Sequence, residues 1–185
     1  KVHEKLKENP PTEEEKKAYT LVLMGHLRLA ATVFKYGVTG GGLDIIAREP
    51  LWEYGMDFRH GTGHGVGYVL SVHEGPHRIS RVHNGVALKP GMLVSDEPGY
   101  YAEGEFGVRI ENLVLVREDQ TTVDGEFLRF ETVTMCPYDW AAIDESLLTE
   151  EEKQQIEEYH DRVYAALTPY LNEEETKWLA KMIRR

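Results

Sequence analysis

The sequence predicts an α+β protein, with helices at the start, short strands in the middle and a helical tail. Three observations carry that expectation. Apolar residues recur at helical spacing near the start and the end of the chain, each time behind a capping box. Short extended segments bounded by proline and glycine turns fill the middle. Among them lies His60-Gly61-Thr62-Gly63-His64-Gly65-Val66-Gly67, whose alternating glycines suit a strand and not a helix. The chain is 185 residues long and 41% hydrophobic, enough to bury one core of ordinary size. It divides into a core half over 1–146 and a helical tail over 147–185.

Lys1 to Pro11 is charged, carries Pro10-Pro11 and reads as a connector. A helix opens at Thr12, which makes a capping box with Glu15, while Glu13 and Glu14 favour the positive end of the helix dipole. Ala18, Val22, Gly25, Leu29, Val33 and Tyr36 form its apolar stripe, and Gly37 supplies the stop. His26, beside that stripe, reads as a half-buried structural histidine. Gly40-Gly41-Gly42 opens a second helix around Leu43 to Tyr54, which Pro50 should kink or restart near Arg48–Glu49. No Lys-Ser/Thr follows the glycine run and no strand clearly precedes it, so a nucleotide loop is rejected. Trp52 and Tyr54 read as packing or contact residues.

In the glycine–histidine strand, His60, Thr62, His64 and Val66 point to one side. The glycines line the other, where a second backbone or a ligand can come very close. His77 to Asn84 is a polar loop, with His77 and His83 as surface imidazoles. The turn Lys89-Pro90-Gly91-Met92 launches a strand over Met92 to Glu97 that Pro98-Gly99 stops. Pro98 holds the residue before it in extended geometry and so fixes where the Glu97 carboxylate points. Tyr100 to Phe106 reads as a loop, and Gly107 to Val116 as a strand with Arg109, Glu111 and Leu113 on one face. A Glu facing inward among Val, Ile and Leu is costly unless paired with Arg109 or bound to a cation. Phe127 to Met135 is one more strand. Thr149 with Glu152 caps the next helix, which Pro169 ends, and Asn172 with Glu175 caps the last.

Twenty-one Lys and Arg against 32 Asp and Glu give a net charge of −11, which disfavours nucleic acid or an anionic membrane as partner. An acidic field favours cationic ligands, such as a peptide with a free amino terminus; plain solubility accounts for it equally. Cys136 is the single cysteine, so no intrachain disulfide forms and a reducing cytosol fits best. No apolar run approaches a membrane span, and the charged, proline-bearing start is not expected to be a signal peptide.

His64, Glu97 and Glu111 each fall at or near the end of a predicted strand. One imidazole and two carboxylates make a mixed N/O set suited to Mn²⁺, Zn²⁺ or Co²⁺. A paired-metal site, with ions about 3.5–4 Å apart, needs more ligands than these. On the residues alone, scattered acids and histidines on a soluble surface carry equal weight.

The motifs His-Gly-Thr-Gly-His-Gly-Val-Gly, Val-His-Glu-Gly-Pro, Ser-Asp-Glu-Pro-Gly-Tyr-Tyr and Gly-Val-Arg-Ile-Glu-Asn-Leu occur in that order. Together they closely resemble the pita-bread metallopeptidases, and most of all the large, cytosolic-type Xaa-Pro aminopeptidase branch. A longer spacing between the glycine strand and His73, and the tail from Leu147 through Trp178-Leu179, favour that branch over prolidases. The resemblance implies a curved antiparallel sheet flanked by helices. It implies that His64, Glu97 and Glu111 hold metal, most often two Mn ions with Zn or Co as alternatives. It implies that His60 and His73 contact substrate and steady the scissile carbonyl, and that Glu97 serves as general base for a metal-bridging water. Arg109 would orient a ligand carboxylate. The implied substrate is a peptide with proline in second position, the implied setting cytoplasmic, and a homodimer is expected, with Trp52 and Tyr54 as candidate contacts.

The departure from the family pattern is equally informative. Two aspartate motifs that family members carry upstream of the first helix are absent, and Asp44 and Asp57 lack their context. The chain is therefore expected to be the C-terminal portion of such an enzyme, partnered by a missing N-terminal part, inactive alone, and left with an exposed sheet edge. The alternative is a non-catalytic pita-bread module that binds peptides or a protein partner.

Overall fold

The computed structural model describes residues 10–69 and 71–184. The expected connector Lys1–Pro11 lies almost entirely outside them. Two compact units emerge, one of Leu21–Thr134 and one formed by Lys1–Thr20 with Met135–Arg185.

Helix α1 (Glu13–Ala30) starts at the expected box: Thr12 N donates to Glu15 Oε2 at 2.7 Å and Glu15 N to Thr12 Oγ1 at 3.2 Å. It ends well before Gly37. Thr32-Val33-Phe34 is β-branched and aromatic, and prefers extended backbone to another helical turn. The chain leaves as strand β1 (Val33–Lys35), which puts the buried Phe34 ring 5.0 Å from Phe130. Helix α2 (Gly40–Trp52) takes in the glycine run and passes through Pro50 without a break. Pro50 sits in the last turn, where its missing N–H removes only one ladder bond. The two helices cross at Gly25, where an added Cβ would lie 2.1 Å from the Ala47 carbonyl oxygen.

Short strands β2 (Gly63–His64) and β3 (Arg78–Ile79) pair antiparallel, so only part of the expected His60–Val66 strand is a strand. Next come β4 (Leu93–Asp96), β5 (Gly99–Ala102), β6 (Phe106–Arg109), β7 (Asn112–Thr122) and β8 (Gly125–Thr132). The main sheet is antiparallel in the order β1-β8-β7-β4, and its core joins Leu29, Leu43, Val94, Val114, Leu128 and Phe130.

The expected loop at Tyr100 is instead half of a hairpin, and the expected strand Gly107–Val116 is interrupted at Ile110–Glu111. The cause is Pro98 on the facing arm, which has no N–H to offer the ladder. The register survives the interruption. Asp96 faces Asn112 on one side of it and Gly99 faces Arg109 on the other, with Ile110 N donating to Pro98 O at 3.3 Å. Glu97 and Glu111 therefore occupy opposing positions in the gap.

In the second unit, α3 (Glu150–Leu167) and α4 (Glu173–Met182) both start with complete capping boxes, on Thr149 and Asn172. Pro169 lies in a 3₁₀ turn, Thr168–Tyr170, immediately after α3. Ile156, Tyr159, Val163 and Leu179 are buried, as is His160. His160 Nε2 accepts from Tyr138 N at 3.0 Å. Burial, only partly offset by the Asp161 charge, pushes the His160 imidazole down to about 4. Among the described residues no helix is long and apolar enough to cross a membrane.

Candidate active site

The site is assembled from a buried arginine outward. Arg48 on α2 is fully buried, and its Nε donates to Asp44 Oδ2 at 2.6 Å. Its Nη1 donates to Asp57 Oδ1 and Phe58 O at 2.7 Å each, and its Nη2 to His60 O at 2.8 Å. The guanidinium also lies 3.8 Å over the Phe58 ring. Burial opposes the charge, but the hydrogen bonds Arg48 donates to Asp44 and Asp57, together with their negative charges, outweigh it and raise the Arg48 pKa. Asp44 Oδ1 in turn accepts from Thr62 Oγ1 at 2.7 Å. Asp44 and Asp57 are thus structural anions that pin the start of the glycine–histidine segment.

The glycines let that segment lie against β4. An added Cβ would sit 1.8 Å from Ser95 O at Gly63 and 2.0 Å from Glu74 O at Gly65. Close backbone approach on the glycine side is what the alternation predicted. Gly65 bridges Val94, and Glu97 N donates to Thr62 O at 2.8 Å. The side of the segment carrying His60 and His64 then faces Glu97.

A relay of hydrogen bonds fixes the centre. His64 N donates to Ser95 Oγ at 2.9 Å, and Ser95 Oγ donates to Glu97 Oε1 at 3.0 Å. His64 Nδ1 lies 3.0 Å from Gly65 O, an acceptor only, so Nδ1 carries the proton. His64 Nε2 then turns its lone pair to Glu97 Oε1 at 3.1 Å. Two acceptors at that separation require a shared proton or a cation between them. A ligating histidine ordinarily donates its other N–H to a carbonyl in this way.

Around this pair, Arg109 Nη1 lies 3.6 Å from Glu97 Oε2, and Arg109 Nε donates to Tyr101 Oη at 2.9 Å. His60 Nδ1 faces Gly61 O at 2.8 Å, so its Nε2 accepts from Tyr101 Oη at 3.2 Å. The His73 ring lies 4.1 Å from that of His64. His60, His64, His73, Glu97 and Arg109 all line one open cavity of about 340 Å³.

Glu111 stands apart. It is exposed and does not line that cavity, although the register sets it opposite Glu97. Among the described residues no group of three or more His, Cys, Asp or Glu side chains is arranged to hold a metal ion. His64 and Glu97 fit one edge of a metal site.

Two histidines depart from expectation. His77 is buried, not a surface imidazole, because its Nε2 donates to Leu93 O at 2.8 Å. His26 is wholly buried, not half-buried: Asn112 Nδ2 donates to its Nε2 at 3.0 Å, and its Nδ1 lies 3.2 Å from Asp96 Oδ2. Burial, with the Glu97 charge adding to it and His26 opposing it, raises the Asp96 carboxyl. Ser95, Arg48 and Tyr101 were not singled out from the sequence. Only Ser95 and Tyr101 carried a signal, through the Ser-Asp-Glu-Pro-Gly-Tyr-Tyr motif.

A glycine-backed histidine segment facing a carboxylate across an interrupted antiparallel hairpin defines a pita-bread metallopeptidase fold. Residues 6–118 match the model of metallopeptidase family M24, and residues 126–185 match the C-terminal region of peptidase M24. The chain belongs to metallopeptidase family M24. A probable Xaa-Pro aminopeptidase P of Laccaria bicolor is 52% identical over 166 residues, which is 87% of this chain and 26% of that protein. The X-prolyl aminopeptidase of Caenorhabditis elegans, described as a cytosolic enzyme with a di-nuclear active site, aligns with a TM-score of 0.87 at 39% identity. That match covers 95% of this chain and 29% of the nematode chain. The prolidase of Pyrococcus furiosus gives a TM-score of 0.52 at 43% identity, over 58% of this chain and 31% of its own. This chain thus spans less than a third of each of these relatives.

Proposed function

We propose that this chain is the C-terminal part of the catalytic domain of an Xaa-Pro aminopeptidase, acting on peptides with proline in second position. The observation that carries the reading is His64 Nε2 standing 3.1 Å from Glu97 Oε1, on a segment held by Ser95 and Arg48. His64, Glu97 and Glu111 would hold a divalent metal, two Mn ions in the complete enzyme with Zn or Co as alternatives. When bound, the metal supplies Lewis-acid polarisation of the scissile carbonyl and an activated water.

The chain's own residues do the rest. His60 and His73 line the same cavity as His64 and would contact the substrate there. The Tyr101 hydroxyl holds His60 with its proton on Nδ1, so the His60 ring meets substrate after that contact opens or by its edge. Glu97 accepts the proton of the attacking water, and Arg109 beside its second oxygen keeps the carboxylate oriented. The missing donors belong to an N-terminal part of the same enzyme, so this chain alone is inactive. We further propose a cytoplasmic setting, a homodimer with the half-exposed Trp52 and Tyr54 at its contact, and a division into a core half, 1–146, and a tail, 147–185.

One observation favours a second reading for the chain as it stands. With no group of three donors in place among the described residues, it could serve as a non-catalytic pita-bread module that binds peptides or a protein partner. A proline-peptide assay and elemental analysis on this chain beside its upstream-extended form decide between the two. The first reading expects metal and cleavage in the extended form only, both lost on Glu97→Ala and His64→Ala. Full activity in either mutant refutes the site, and an extended form that binds no metal favours the second reading.

A further inference from the structure

The buried polar group behind the sheet has no role in the reaction described so far. His26, Asp96 and Asn112 come from α1, β4 and β7, and all three are buried. His26 Nε2 accepts from Asn112 Nδ2 at 3.0 Å, which leaves the proton on Nδ1, 3.2 Å from Asp96 Oδ2. Stability does not explain such a group: replacing buried polar sets with apolar side chains of similar volume is often neutral or stabilising. Register does. Asp96 and Asn112 face each other as the last pair of the β4–β7 ladder, and one residue further on the two arms carry Glu97 and Glu111. Because side chains alternate along a strand, the first pair points toward α1 and the next pair away from it.

We infer that His26 is a positioning residue: by tying Asp96 to Asn112 behind the sheet, it sets how far apart Glu97 and Glu111 stand in front of it. The two carboxylates sit where the ladder is interrupted, so no backbone pair at their own level fixes their spacing. The pairs flanking the gap do so, and one imidazole contacts both side chains of the Asp96–Asn112 pair, by a hydrogen bond to Asn112 and an ion-pair distance of 3.2 Å to Asp96. The inference rests on reading Glu97 and Glu111 as metal-holding carboxylates.

The test uses the full-length enzyme that carries this chain, with His26→Phe and His26→Gln. Three quantities are read: Mn²⁺ affinity by chelator competition, kcat and KM on a proline-containing peptide, and thermal stability. His26→Phe is expected to fold yet bind Mn²⁺ about tenfold or more weaker, with kcat falling about tenfold and KM within about twofold. His26→Gln, whose amide can keep one of the two partners, should recover part of both losses. A folded His26→Phe enzyme with wild-type Mn²⁺ affinity and kcat overturns the inference. If that variant does not fold, His26→Gln and Asn112→Leu decide by the same two quantities. A wild-type enzyme that neither binds Mn²⁺ nor cleaves the peptide defeats the functional reading instead.

Discussion

Gly63 and Ser95 are in backbone contact: the space where a Gly63 side chain would begin is already taken by the Ser95 carbonyl oxygen, at 1.8 Å. Ser95 also holds the candidate site together, since its hydroxyl bonds both the His64 amide and Glu97. Gly63→Ala must push β2 off β4. We expect a loss of about 1–3 kcal/mol, the usual cost of overpacking, read by urea denaturation. A variant as stable as the parent would show that the two strands are not closely packed.

Arg48→Met should be costlier. It removes the charged partner that buried Asp44 has among the described residues, and also the donors to Phe58 O and His60 O. Breaking a buried ion pair from one side costs about 3–5 kcal/mol. Double replacement with Asp44→Leu should recover much of that loss. Equal instability of the single and double variants would contradict the account.

His160 makes stability depend on pH. Its folded-state value of about 4 lies below the usual 6.5, so the unfolded chain takes up the proton first on acidification. The contribution is complete above 6.5 and is lost as pH falls toward 4, at up to about 1.4 kcal/mol per pH unit. His160→Gln should flatten the stability profile in that window. Denaturation midpoints at several pH values check this, and an unchanged slope would dismiss it.

Thr149→Ala tests the tail. Thr149 Oγ1 accepts from Glu152 N at 3.1 Å, and Glu152 Oε2 accepts from Thr149 N at 2.9 Å. Loss of the cap should cost about 0.5–2 kcal/mol by thermal or urea melting, with Thr149→Ser close to wild type.

What could be read from the sequence was what is local. The three helix starts rest on contacts three residues apart, at Thr12, Thr149 and Asn172, and all three appear as expected. The glycine alternation announced a close approach, and the motif residues His60, His64, His73 and Glu97 do meet at one cavity. What escaped was decided at a distance. His77 is buried because a carbonyl sixteen positions away accepts from it. The interruption at Ile110–Glu111 is imposed by a proline on the other arm. Arg48 carried no local signal because its partners at Asp57, Phe58 and His60 arrive only when the chain folds back.

The hairpin that carries Glu97 and Glu111 keeps one register from Leu93 opposite Leu115 to Ala102 opposite Phe106, across its own gap. Such a ribbon tolerates editing very unevenly. Residues can be added at the tip, where Gly104 turns the chain, without disturbing the pairing below. Deleting a single residue from either arm would instead shift everything beyond it by one place and exchange inner for outer faces, so evolutionary length variation should collect at Glu103–Glu105 and spare the arms.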